Sequence, residues 1–368
     1  MPVTIDIDPE GDLLLSTASN HKRFRVSSPV LRLQSPVFKR MLFGSWKESK
    51  PEDEEEWIVE LPEDSARPLQ TVLYIMHCKF EVVPTKPDRR FIYNVLATAN
   101  KYDVTHLVRP WATQWQDVAK GPGRTPLSRV RTLYIAWELG DEPLFGYKLE
   151  QIAMRSKIDS EGRLVYGNIV LEDVTFLGPQ TVLGKFHVKL TTSEPNTNSH
   201  STEAIAEIRL KVIETLISSV HGALDTRMNP TPYCTHRNPK TASDCDAAVV
   251  GRIYRAMLQK RGELLPRSPS DIKESAADLA TWIFGFMSQT EGIHHEISGH
   301  YYPRCSPKAE FGMLSSFLTL SLQHMVDYSM KPGCKEYMAK QRTKTGLILD
   351  ETMGLIKRSW PEYWNHPW

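Results

Sequence analysis

Two closely spaced serine–proline pairs, Ser28-Pro29 and Ser35-Pro36, constrain the fold of this chain more than any other feature. A serine side chain can accept a hydrogen bond from an orphan N–H of a first helical turn. Proline at the first helical position has no N–H to lose and a φ suited to the helix. Each pair therefore predicts a helix start. A proline inside one long helix would clash with the turn before it, so Pro36 divides the apolar run into two short helices. Val30, Leu31 and Leu33 belong to the first, and Val37, Phe38, Met41 and Leu42 to the second. Just upstream, Phe24 and Val26 alternate with Arg23 and Arg25, the period-2 pattern of a half-buried strand.

The flanking residues fit the same unit. Residues 12–17 and 22–26 read as a hairpin around Ser19-Asn20-His21, and Trp57–Leu61 as a strand after the acidic, solvated loop 52–56. Leu69, Val72, Leu73 and Met76 share one helical face after Pro68. Ile92, Val95, Leu96 and Ala99 repeat that spacing, and Leu107 falls in another short helix. Strands followed by pairs of helices predict an α+β unit, a small sheet closed by a helical layer.

Four motifs in this order resemble the BTB/POZ domain, in the form abundant in filamentous fungi. They are Asp8–Leu15 (opening turn and first strand), Phe24–Phe43 (second strand and helical pair), Ile58–Asp64 (third strand and turn), and Ala97–Trp111 with its Ala-x-Lys-Tyr helix. Better-known members have a histidine after the second strand; Ser27-Ser28 stand there here, in line with the fungal type. The segment Ala136–Phe145 also resembles helices that often follow the domain.

The chain has 368 residues, more than a single core usually organises. Its expected division is a BTB/POZ-like domain over 1–115, a helical extension over 116–160, a β-rich insertion and polar loop over 161–200, and a helical C-terminal domain over 201–368. Leu127, Val130, Leu133, Ala136 and Leu139 form one helical stripe after Gly121-Pro122-Gly123. Phe145, Leu149, Ile152 and Ala153 form a second, joined to the first at Gly140-Asp141-Glu142. Leu164–Leu171, Val174–Phe176 and Lys185–Leu190 read as strands. Beyond Ala204, helical faces are set by Ile205, Ile208, Val212, Leu216 and Val220, then by Val250, Ile253, Tyr254, Met257 and Leu258 up to Gly262. Asp271 with Glu274 resembles a capping box ahead of Ile272, Ala276, Leu279, Ile283 and Phe286. Two more helices are expected near 309–329 and 333–357. The terminal Ser359–Trp368 segment holds three tryptophans that read as packing anchors.

Net charge is +1 from 45 basic and 44 acidic residues, which gives no overall field for nucleic acid or an acidic membrane. The basic runs 86–90 and 340–344 lack interleaved aromatics and read as solvated faces. Residues 313–330 are too polar to span a bilayer. The acidic N-terminus lacks an apolar leader core, so reduced thiols in an intracellular compartment, cytoplasm or nucleus, are the expectation.

Five cysteines are few and irregularly spaced. Cys234 and His236 lie in one loop, Cys245 follows the polar segment Thr241–Asp244, and His300 and Cys305 come later. Zinc needs four soft or borderline ligands placed tetrahedrally, and similar fungal BTB proteins often carry cysteines in this loop and a later His/Cys segment. Cys234, Cys245, His300 and Cys305 are the expected ligands of a structural zinc, with His236 in reserve; the alternative is a set of unrelated buried thiols. His294–His300 fails as a metalloprotease motif, because His295 and His300 are not four apart on one helical face. Thr343–Gly346 lacks the glycine-rich loop of a phosphate site. No catalytic signature stands out, so a non-enzymatic role is expected.

What the resemblance implies is protein–protein interaction as an adaptor. A symmetric homodimer would bury the apolar faces of the first strand and helix of each subunit. Recruitment of a cullin-type ubiquitin ligase scaffold is a further implied role, though no substrate-binding repeat accompanies it. The alternatives are a zinc-stabilised nuclear regulatory protein, or a ubiquitin-ligase substrate adaptor.

Overall fold

In the computed structural model, the alternating residues of the N-terminal region build a mixed four-stranded sheet. Its order is β1 (Val3–Asp6), β3 (Lys22–Val26), β2 (Leu13–Thr17), β4 (Ile58–Leu61). β2 and β3 form the expected antiparallel hairpin with Leu15 opposite Phe24, whereas β1 on β3 and β4 on β2 are parallel. Phe24, Val26, Leu13 and Leu15 are buried, so the hairpin's apolar positions are core. The structure describes residues 3–17, 22–51, 56–171, 200–290, 305, 322, 324–330 and 332–349. The hairpin turn 18–21, acidic residues 52–55, the strands expected at 174–176 and 185–190, His294–His300 and the terminal tryptophans fall outside them.

Both proline-led helices form, as α1 (Ser28–Gln34) and α2 (Pro36–Phe43). Only the second start works as the sequence suggests. The Ser35 hydroxyl accepts from Phe38 N–H at 3.0 Å and donates to the Tyr102 carbonyl at 2.6 Å. At the first start Ser28 lies inside the helix and donates instead. Its N–H and hydroxyl both reach the Asp12 carboxylate, at 2.8 and 2.7 Å, so an acid at the foot of β2 caps α1. Ser27 N–H donates to His77 Nε2 (3.1 Å), while burial lowers the His77 pKa. Phe38 stacks on Tyr102 at 4.2 Å, and Tyr102 and Lys101 both bond Asp64. Residues from three of the sequence motifs thus meet in one place.

The helical layer is α3 (Ala66–Met76), α4 (Arg89–Lys101), α5 (Ala112–Lys120) and α6 (Pro126–Leu139), with a 3-10 segment at Thr105–Trp111. The basic run 86–90 has a structural use. Asp88 caps α4, and Arg89 donates to the carbonyls of Val118, Ala119 and Gly121. Gly140 ends α6 with φ 79°, a left-handed conformation suited to glycine, and a Cβ there would collide with the backbone of Met338 and Arg342. The chain then enters α7 (Glu142–Arg155).

The described residues divide into two compact units. The first runs to Lys148 and takes in 332–349, and the second holds Leu149 onward through residue 330. A late helix, α11 (Pro332–Thr345), thereby belongs with the N-terminal unit. It ends at Gly346 (φ 63°), earlier than the 357 expected from sequence.

Its anchor is Glu138, fully buried on α6. Asn100 Nδ2 donates to both carboxylate oxygens (3.1 and 3.0 Å), Gln341 Nε2 to Oε2 (2.9 Å) and the Tyr337 hydroxyl to Oε1 (3.3 Å). Tyr134 bonds it too, Lys344 acts at longer range, and Trp137 stacks on Tyr337 at 4.5 Å. Burial pushes the Glu138 carboxyl up to about 7, against the lowering effect of these donors. A carboxyl whose folded pKa is raised binds its proton more tightly when folded, so its stabilising effect is complete below its ordinary value and is lost as pH rises through about 7. Relative to Glu138→Gln, the native protein is expected to lose about 3 kcal/mol between pH 4.5 and 7. Parallel urea titrations of the two proteins across that range check this; identical pH slopes would refute it.

In the second unit, β5 (Lys157–Ile158), β6 (Leu164–Tyr166) and β7 (Ile169–Val170) form a small antiparallel sheet. Three helices described in this unit follow it in sequence: α8 (His200–Arg227), α9 (Pro239–Arg261) and α10 (Ala276–Met287). The expected faces of α8 and α9 are buried at Ile205, Ile208, Val212, Leu216, Val220, Ile253 and Met257, while Leu258 is exposed. The capping box at Asp271 does not form: that residue ends a 3-10 turn. Ser275 caps α10 instead, accepting from Asp278 N–H at 3.0 Å. Among the described residues, no helix is long and apolar enough to cross a membrane.

Candidate metal centre

Three of the four expected ligands come together. Cys234, Cys245 and Cys305 place their sulfurs within 4.8 Å of one another, with the Cys234 and Cys305 Sγ atoms 3.3 Å apart. Tetrahedral bonds of about 2.3 Å put sulfurs roughly 3.8 Å apart, a spacing that lies between those two distances. The thiols are 5%, 0% and 0% exposed and pack with buried Ala242. The remaining cysteines, Cys78 and Cys334, lie outside the cluster. His300 is outside the described residues. His236 is half-buried, accepts from Asn238 N–H through Nδ1 (3.1 Å) and does not join the thiols.

Local chemistry explains how the thiols converge. Cys234 sits in the loop after α8. The segment 241–245 reads as a polar loop, but it is the opening of α9, because Asn238 caps the helix and Pro239 takes its first position. Cys245 thus stands on a rigid helix rather than a loop. Beside it, Asp246 is the residue that sequence reasoning missed. Its Oδ2 accepts from Tyr233 N–H (2.7 Å) and Cys234 N–H (3.1 Å), tying the ligand loop to α9. Its other oxygen, Oδ1, is buried without a hydrogen-bond partner. The sequence signal was faint: an acid directly after a cysteine at a helix start. The Arg227 guanidinium lies over the Tyr233 ring at 4.8 Å, on the same loop.

Burial pushes the Cys305 thiol well above its ordinary pKa, and its hydrogen bonds with Cys234 and Cys245 act in the same direction. Without metal, the raised pKa keeps Cys305 a neutral thiol, and the three side chains pack as small apolar groups. Soft sulfur donors in this number suit zinc, copper(I) or other thiophilic ions. Bound here, a metal would join the loop after α8, the first turns of α9 and the chain at Cys305, a closed arrangement that holds structure together.

Residues 12–115 match the BTB/POZ domain family. That span covers the hairpin, both proline-led helices and the helical layer through α5's first turn. The match does not separate the fungal form from others. No curated protein matches the chain.

Proposed function

We propose that this chain, which carries a BTB/POZ domain over residues 12–115, is a non-enzymatic adaptor that dimerises through that domain and is stabilised by zinc in its helical half. A BTB/POZ domain implies protein–protein interaction. The observation that carries the dimer is the exposed apolar surface at the domain's first helix, where Leu33 on α1 is 86% exposed; β2, the first strand of the matched span, is buried. Next to Leu33, a groove of about 520 Å³ is lined by Pro29, Arg32, Pro36, Lys39 and Phe43. A symmetric partner would remove Leu33 from water in each subunit, worth roughly 1.5–3 kcal/mol for each side chain fully buried.

The test is Leu33→Glu, which places a charge in the apolar interface while leaving a residue that is exposed in the single chain. An unpaired buried charge costs about 3 kcal/mol or more, so dimer affinity is expected to fall by roughly a hundredfold or more. Light scattering over a dilution series reads this directly. An unchanged mass for Leu33→Glu at every concentration would exclude this face as the interface.

Support for zinc comes from the convergence of Cys234, Cys245 and Cys305, with His300 proposed as the fourth ligand. The residues fit a structural rather than a catalytic ion, because the three thiols are buried and close together. The same feature favours the reading of a zinc-stabilised regulatory protein, placed in the cytoplasm or nucleus, where thiols stay reduced.

A further inference from the structure

We propose that the Cys234–Cys245–Cys305 cluster is a capture site for trivalent arsenic, presented as arsenite. The inference rests on the same three thiols as the zinc proposal, but asks less of the protein. Zinc in a closed site needs four ligands. Trivalent arsenic keeps a lone pair and is satisfied by three sulfurs in a pyramid, so the described residues already supply its complete donor set. Its short bonds to sulfur draw the three sulfurs close to contact distance, and two of them already stand 3.3 Å apart.

Charge points the same way. Zinc with three thiolates is an anion, and a neutral imidazole as fourth ligand leaves it one. Burying that charge is costly unless it is compensated. The Asp246 carboxylate, bonded to the Cys234 N–H, adds a second negative charge beside it, and the Arg227 guanidinium that lines the same pocket offsets one of the two. Arsenic with three thiolates is neutral and belongs in a pocket whose thiols are at most 5% exposed. The reaction balances without an oxidant or reductant. Arsenite, As(OH)3, exchanges three As–O bonds for three As–S bonds, and the three thiol protons leave with the three hydroxides as water. Trivalent arsenic keeps its oxidation state throughout. Soft sulfur ligands select such soft centres over oxygen-preferring ions.

The experiment uses the full reduced chain, analysed by native mass spectrometry after incubation with sodium arsenite, with zinc sulfate, or with both. One arsenic per chain is expected, and arsenite is expected to displace or block zinc one for one. Cys245→Ser should weaken arsenic binding by at least a hundredfold, whereas the Cys78→Ser/Cys334→Ser double variant should bind as the native chain does. Arsenic uptake by a native chain that keeps its zinc bound, or uptake that persists in Cys245→Ser and is lost in the double variant, overturns the assignment. Zinc uptake without arsenic uptake removes this inference and leaves the zinc proposal standing. Arsenic uptake without zinc uptake does the reverse. The competition in the native chain decides the matter even if Cys245→Ser does not fold.

Discussion

Replacing Cys245 with alanine is expected to abolish zinc retention and to remove most of the difference in stability between the zinc-loaded and metal-free protein. Cys245 is fully buried on α9, and its sulfur is one of three that share the site. Two sulfurs and the proposed His300 leave a closed structural site one ligand short. The energy at stake is large, since structural zinc contributes about 10–16 kcal/mol of apparent binding free energy in small zinc-finger peptides. In the metal-free protein the same change only removes a small apolar group from a cluster that includes Ala242, which costs about 1 kcal/mol. The diagnostic quantity is therefore the contrast between the two states. Chemical denaturation of both proteins, with zinc and with a chelator, measures it. Equal losses with and without metal would mean that Cys245 serves packing alone.

Arg209→Met is expected to destabilise the helical unit by about 4 kcal/mol. Arg209 lies on α8 and is 2% exposed. Its guanidinium donates to three backbone carbonyls: Ser156 through Nε at 3.1 Å, and Ile272 and Glu274 through Nη2 at 2.6 and 2.7 Å. It thereby joins the residue before β5 to the turn that leads into α10. Burial lowers its pKa to about 10, while the Glu274 charge opposes the shift. Methionine has similar length but no donor. Each stranded carbonyl costs about 1–3 kcal/mol, and relief from burying a cation offsets part of the sum. Arg209→Lys should recover little, because one ammonium cannot reproduce the planar fork that spans three acceptors. Urea titration monitored by far-ultraviolet dichroism checks both variants. A loss under about 1 kcal/mol for Arg209→Met would show that water replaces the guanidinium at these carbonyls.

What could be read in advance follows the physics of each signal. The alternation at Phe24 and Val26 and the helical faces of α3, α4, α8 and α9 are periodic, and burial produces periodicity directly. Their elements were legible. Capping was half legible, because it depends on which neighbour arrives. Ser35 caps its own helix, whereas Ser28 is claimed by Asp12 from another element. The start of α9 was hidden by polar residues, and the two-residue signal that sets it, Asn238 before Pro239, is weaker than an apolar stripe. Strand β1 escaped because three of its four residues are exposed, leaving no alternation to see.

The thiols were legible as a set, because cysteine is rare here and sulfur chemistry is specific. Their convergence was not, since it depends on tertiary packing. Glu138 and Arg209 were invisible for a related reason. In sequence they are ordinary charges on helices, and only the structure shows donors and carbonyls gathered around them. The return of α11 to the N-terminal unit is equally non-local, carried by contacts such as Gln341 to Glu138 and Thr345 to the Leu139 carbonyl.

The most direct test of the whole account is a native mass spectrum of the unsubstituted 368-residue chain, purified without chelators. Dimerisation through the BTB/POZ domain with one structural zinc per chain predicts a species at twice the 42.0 kDa chain mass carrying two zinc ions. A metal-free species at 42.0 kDa over a wide range of protein concentrations would contradict it.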